Sequence, residues 1–307
     1  MKRRDFITRS LGAGIVAGAG FSLLSLEEAF GGMMPNPQKP YDLVAIMGGE
    51  AVQMFEQGIA SLGGMKNFVK AGQTVVVKPN IGWDRTPELG ANTNPQLVAK
   101  IIEHCLAAGA KDVFVFDHTC DNWLRSYATS GIEKAAKDAG AKVISASNER
   151  DYRPVKIPNG KSMKEAKVHG ALLDSDVFIN VPVLKHHGGA LVSFAMKNLM
   201  GIVWDRGYWH SNNLQQCIAD MSSYRKPDLN IIDGYRVMKR NGPKGVSVSD
   251  VSLEKAQIIS ADIVAADSAA ARIFGREAST IGHIRIGNEM GLGEINLDKL
   301  NINRIRI

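Results

Sequence analysis

Short apolar runs alternate along this chain with longer stretches whose apolar positions recur every three or four residues, the pattern of strands alternating with helices. Leu43–Met47 reads as a first strand, and Ala51–Leu62 as a helix with Val52, Phe55 and Ile59 on one side, ended by Gly63-Gly64. Thr74–Val77 is a β-branched strand that runs into the polar segment Lys78-Pro79-Asn80-Ile81-Gly82. Asn94-Pro95 starts a helix by its chemistry, a capping side chain followed by proline at the first helical position. That helix buries Leu97, Val98, Ile101, Ile102, Cys105 and Leu106 and stops at Gly109. Val113–Phe116 is the next strand and delivers Asp117, His118 and Thr119. Ile132–Ala139 and Val143–Ser145 continue the alternation.

The stretch from Asp176 to Gly201 organises the remainder. An apolar run too short for a helix stops at Pro182, Lys185, His186, His187 and Gly188-Gly189 follow, and a helical pattern begins near Ala190. This predicts a strand, a polar loop and a helix start. Upstream, the charged and proline-containing segment 148–169 predicts a short hairpin or excursion over one edge of the sheet. Downstream come an aromatic loop from Trp204 to His210, a helix led by Asn212, a strand Leu229–Ile232 ending in Asp233-Gly234, and a strand Gln257–Ser260. Asp262 then opens an apolar helix to Phe274, and the chain closes with a helix around Ile281–Met290 and a short strand at Ile302–Ile305. The alternation predicts an α/β fold, a mostly parallel sheet flanked by helices in a three-layer, Rossmann-like arrangement, with residues 32–307 as a single domain.

Parallel strands place their carboxyl ends on one edge, where the loops line a crevice. Four strand ends are polar, supplying Lys78 and Asn80; Asp117 and His118; Lys185, His186 and His187; and Asp233, with Lys197 and Asn198 one helix later. Lysine, histidine and carboxylate converging there suit proton transfer on an anionic substrate. His187, His118 and Lys185 are the candidate catalytic residues, and Lys78, Asn80, Lys197 and Asn198 the candidate substrate-binding ones. The Gly188-Gly189 amides at a helix start are a further candidate for holding a carboxylate or phosphate. Asp117 and Asp233 are candidates for a divalent metal by residue type, or for orienting a histidine. The aromatic loop reads either as a lid or as the completion of a core.

Charge and composition narrow the classes. The net +6 is spread rather than gathered into a stripe, which argues against nucleic acid as a partner. Neither a Walker loop nor GxGxxG occurs, and Gly-x-Ser-x-Gly is absent. The cysteines, Cys105, Cys120 and Cys217, are too few for an iron–sulfur cluster held by this chain alone. Cys105 and Cys217 fall on apolar helical faces, whereas Cys120 lies among polar residues. Residues 1–31 read as a leader: Arg3 and Arg4 precede a small-residue, mildly apolar segment, and Ala29-Phe30-Gly31 resembles a cleavage site. The pattern resembles a twin-arginine export signal, which implies the twin-arginine machinery as a partner and a periplasmic or otherwise exported mature chain. The segment is glycine-rich and short of the ~20 apolar residues of a spanning helix, so no permanent membrane span is expected in the mature chain.

Several ordered segments carry a resemblance to a known family. Val-Val-Val-Lys78-Pro-Asn80, Gly109-Ala-Lys-Asp-Val with Asp117 following, Asn180-Val-Pro-Val-Leu-Lys185-x-His187, Lys197-Asn198-Leu-Met-Gly201, Pro227-Asp-Leu with Asp233-Gly234, Asn241-Gly-Pro243 and the Asp262-x4-Asp267 run resemble the domain of unknown function 362 family. Many members carry a ferredoxin-like cysteine cluster that this sequence lacks, so the resemblance does not bring direct electron transfer with it. Two functional expectations stand together. The first is an exported enzyme that binds a small anion at strand carboxyl ends and acts on it by acid–base or metal-assisted chemistry. The second is a non-catalytic exported accessory protein that binds a metal or cofactor, or partners an exported redox enzyme.

Overall fold

The structure, a computed structural model, describes residues 40–307; the leader with Arg3 and Arg4 lies outside them. Twelve strands are β1 (Leu43–Met47), β2 (Thr74–Pro79), β3 (Asp112–Val115), β4 (Lys142–Val143), β5 (Tyr152–Lys156), β6 (Glu165–His169), β7 (Val177–Val181), β8 (Val183–His187), β9 (Leu191–Ser193), β10 (Leu229–Met238), β11 (Val251–Ser260) and β12 (Ile302–Arg306). Ten of them form one sheet, in the order β12-β1-β11-β10-β7-β2-β3-β4, with β8 paired to β10 and β9. Pairing is parallel from β10 through β7, β2 and β3 to β4, and between β1 and β12; β11 runs antiparallel between β1 and β10. The fold is therefore α/β with a mostly parallel sheet, as the alternation predicts. Helices cover both faces, and each face has its own apolar cluster. One joins Ile101 and Phe55 to Val75 and Val77; the other joins Ile218, Ala266 and Ile284 to Phe178 and Ile232.

Local chemistry sets the element boundaries. Asn94 caps the helix Pro95–Ala107 by accepting from the Gln96 and Leu97 amides at 2.9 and 3.2 Å. Asp262 does the same for the helix Ile263–Phe274, which ends at Gly275 with φ of 91°. Among the described residues no helix is long and apolar enough to cross a membrane.

Four expectations are corrected. The chain does not enter a loop after Pro182. It steps sideways and continues as β8, which forms a hairpin with β9 through Gly188-Gly189. Proline ends the ladder of β7 because it has no N–H to donate, but Val183-Leu184-Lys185 keeps the extended, buried pattern. The helix consequently starts at Ala195 and not near Ala190. The Gly188-Gly189 amides are not a helix start: Gly188 donates to the Gly242 carbonyl and Gly189 to His187 Nδ1. Asp233 is likewise not at a strand end, because β10 continues through it to Met238. Segment 148–169 is a hairpin, β5 with β6, and an isolated bridge from Val168 to Val203 ties it to the aromatic loop.

Candidate functional site

The carboxyl ends of β2 and β3, together with β8 and the short helix Ala195–Asn198, enclose a pocket of about 60 Å³. Lys78, Lys185, Lys197 and Arg206 line it, with Asp117 as its single carboxylate. Lys78, Lys185 and Lys197 are 0, 1 and 7% exposed, which is rare for lysine and costly unless each charge finds partners.

The three lysines differ in how far they are satisfied. Lys78 donates to the Pro79 carbonyl and to Asn198 Oδ1, both at 2.9 Å, and its Nζ lies 2.8 Å from Asp117 Oδ1 as an ion pair. That carboxylate oxygen has no aligned hydrogen bond, so the pair is held by charge; Asp117 Oδ2 accepts from the Ile81 amide at 2.7 Å. Lys185 donates to Asn80 Oδ1 at 2.9 Å and to the Ala91 carbonyl. Lys197 has only the Met200 thioether, at 3.2 Å. Burial pushes all three amines down, Lys185 to about 7 and Lys197 to about 8, and the ion pair with Asp117 works against burial at Lys78.

Below the pocket a row of amides crosses the sheet. Asn198 Nδ2 donates to Asn180 Oδ1, Asn180 Nδ2 to Asn230 Oδ1, Asn230 Nδ2 to the Ser260 carbonyl and Ser260 Oγ to the Asp42 carbonyl, at 2.9, 3.0, 3.3 and 2.7 Å. Strand register produces the row, since Asn230 stands opposite both Asn180 and Ser260.

The two candidate histidines both engage the backbone through Nδ1 and leave Nε2 free, but in opposite protonation roles. His187 Nδ1 accepts from the Gly189 and Ala190 amides, both at 3.1 Å, which leaves Nε2 carrying the proton. Burial and the neighbouring Lys197 and Lys185 charges push this imidazole down to about 2, so it stays neutral and offers a donor. His118 Nδ1 lies 2.8 Å from the Val203 carbonyl, which makes it the donor and leaves the Nε2 lone pair open. Burial, then the Arg206 charge, lowers its pKa. His118 stacks on Trp204, with ring centroids 5.0 Å apart.

His118 and Arg206 also line a second, wider cleft of about 860 Å³ between the β5–β6 hairpin and the aromatic loop. Both tryptophans of the loop line this cleft, but Trp209 is fully buried as part of the core while Trp204 is half-buried.

Of the residues the sequence nominated, Lys78, Asn80, Asp117, His118, Lys185, His187, Lys197 and Asn198 all line the small pocket. Asp233 does not. It is buried beside the Pro95–Ala107 helix, accepting from the Asn94 amide at 2.7 Å and the Tyr235 amide at 3.0 Å. Asp117 and Asp233 therefore do not form one metal-ligand set, and among the described residues no three His, Cys, Asp or Glu side chains come together to hold a metal ion.

Residues the pattern missed include Arg206, which donates to the His118 and Thr119 carbonyls at 2.7 Å and reaches Cys120 Sγ at 3.3 Å. Gly201 is another. A Cβ there would lie 1.7 Å from Asp117 Oδ1 and 2.7 Å from Lys78 Nζ, so only glycine lets the backbone approach the ion pair. Its carbonyl also accepts from the His118 amide at 2.9 Å. The signal for Gly201 was its place in the Lys197-Asn198-Leu-Met-Gly201 run; nothing local marked Arg206.

The family model described as "Domain of unknown function (DUF362)" matches residues 75–272, which include every residue of the pocket. The chain belongs to the DUF362 family. Among curated relatives, this DUF362 member is 28% identical over 202 residues to a thylakoid-associated protein of Synechocystis sp.; the match covers 62% of this chain and 61% of the relative. Among solved structures, the lactate racemase apoprotein from Thermoanaerobacterium thermosaccharolyticum aligns at 11% identity with a TM-score of 0.45, over 82% of this chain and 58% of that one. A Thermotoga maritima protein aligns at 11% identity and a TM-score of 0.46, over 78% and 59%. The chain thus spans about three fifths of the proteins it matches.

Proposed function

We propose that this DUF362 protein binds a small anionic molecule in the strand-end pocket and carries out acid–base chemistry on it. The observation that carries this reading is the charge balance of the pocket, where Lys78, Lys185, Lys197 and Arg206 face Asp117 alone. An anion entering the pocket supplies the missing counter-charge to lysines already removed from water, so it gains electrostatic energy without a new desolvation cost on the protein side. Lys78, held by its ion pair, contributes charge; Lys185, Lys197 and Arg206 contribute contact. His118 is the proton acceptor because its Nε2 lone pair is unspent, and His187 is a neutral donor that orients the ligand. The wider cleft admits the remainder of a larger ligand past His118 and Arg206.

The export reading rests on the twin-arginine-like leader with Arg3 and Arg4, and on the relative described as thylakoid-associated. It places the site outside the cytoplasm and makes the export machinery a partner. Calorimetric titration of the full chain with small carboxylates and with phosphate tests the binding. Dissociation constants below about 1 mM that rise at least tenfold in Lys185→Met are expected; failure of every anion to bind in that range would overturn the reading.

A further inference from the structure

The gradation among the three buried lysines points to a second role for one of them. Lys78 directs its ammonium at two oxygen acceptors and a carboxylate, and Lys185 gives protons to two oxygens. Lys197 has only a thioether sulfur, a weak acceptor, although its side chain is more than nine-tenths buried. An ammonium in that position is poorly satisfied, whereas a neutral amine there loses little, and its lone pair is not tied to a strong donor. Burial, with Arg206 and Lys78 acting on it as like charges, brings its proton off at about 8. Lysines arranged this way, desolvated and beside other cations, are the ones that act as amine nucleophiles.

Resting on the anion-pocket reading above, we infer that Lys197 is a carbonyl-capturing lysine, and that the anion belongs to the class of small carboxylates bearing an aldehyde or ketone, such as 2-oxo acids. The carboxylate lies against Lys185 and Arg206, which places the adjacent carbonyl carbon toward Lys197. The amine lone pair forms the C–N bond while the carbonyl π pair moves to oxygen. A proton leaves nitrogen and another reaches that oxygen, giving a carbinolamine. Loss of the hydroxyl with one further proton, as water, leaves the protonated imine. One water is released, the proton that first reaches the carbonyl oxygen is taken up from solvent, and nothing is oxidised or reduced. His118 Nε2, open on the same pocket, is the group placed to take the proton from nitrogen and return it to the departing hydroxyl.

The experiment is reductive trapping of the full chain with glyoxylate and cyanoborohydride at neutral pH, read by intact and peptide mass spectrometry. Glycolate, which has the carboxylate but no carbonyl, serves as the binding control by calorimetry. The expected result is one adduct per chain, on the peptide holding Lys197, suppressed by excess glycolate. In Lys197→Arg that adduct falls at least tenfold. If glycolate binds but label spreads over the exposed lysines and spares Lys197, carbonyl capture is wrong and the anion pocket stands. If glycolate does not bind and no protected adduct forms, the anion pocket falls and this inference with it. The position of the label in the unaltered protein decides the matter whether or not the variant folds.

Discussion

Buried charge occurs in two regions of this molecule and is treated differently in each. Asp233 and Asp267, in the body of the fold, are 3 and 0% exposed, and burial pushes their carboxyls up to about 6 and about 7. Each accepts from two backbone amides: Asp233 from Asn94 and Tyr235, Asp267 from Ala195 and Met196. Those acids are fasteners, joining β10 to one helix start and the Ile263–Phe274 helix to the turn that carries Lys197. The pocket lysines are as deeply buried but their partners run out, from Lys78 to Lys185 to Lys197. Burial alone therefore does not mark a site; burial with an incomplete set of partners does.

The largest expected effect comes from removing the most satisfied lysine. Lys78→Met strands Asp117 in the interior and is expected to cost about 3–5 kcal/mol of unfolding free energy in urea titrations, as well as abolishing anion binding. Next come the fasteners. Asp233→Ala leaves two amides without their acceptor and is expected to cost about 2–3 kcal/mol, with anion affinity changed less than about threefold. A large affinity loss in that variant would erase the distinction between the regions.

Lys197→Met should do the reverse. It removes a poorly partnered cation, so stability is expected to hold or rise by ~1 kcal/mol while anion affinity drops by about tenfold or more. Smallest is the pH response. Lys185 and Lys197 lose their protons at about 7 and about 8, below the ordinary lysine value, so the charges that attract an anion disappear as pH rises. Affinity for a fully ionised carboxylate is expected to be greatest below pH 7 and to fall roughly tenfold by pH 9, measured calorimetrically. Affinity that rises with pH would contradict the assignment.

Much of this was legible because it is local. Asn94-Pro95 specifies a helix start by itself, and the apolar runs before Lys78 and Asp117 specify strands whose ends a parallel sheet must gather. The β8–β9 hairpin was not legible, because Pro182 reads as a stop when only the β7 ladder is considered; its sideways step depends on β10 offering a second pairing partner. Asp233 was misplaced for a related reason: Asp233-Gly234 has the composition of a turn, but pairing with β11 carries the strand through it. Arg206 was invisible because its role lies in two carbonyls on a loop distant in sequence.

The amide row beneath Lys78 has a direction. Every bond from Lys78 Nζ to the Asp42 carbonyl runs donor to acceptor in the same sense, so each amide turns its oxygen toward the pocket and its nitrogen toward the antiparallel edge. The sheet is polarised across its strands, a property that parallel or antiparallel backbone ladders do not supply. An oriented row of dipoles favours the cation at its oxygen end, and reversing one amide would break the bonds on both sides of it. The acceptor oxygen that Asn198 offers Lys78 is thereby backed by amides in β7 and β10 and by Ser260 in β11, so a substitution at Asn230, remote from the pocket, should be felt there as a change in electrostatic potential rather than in shape.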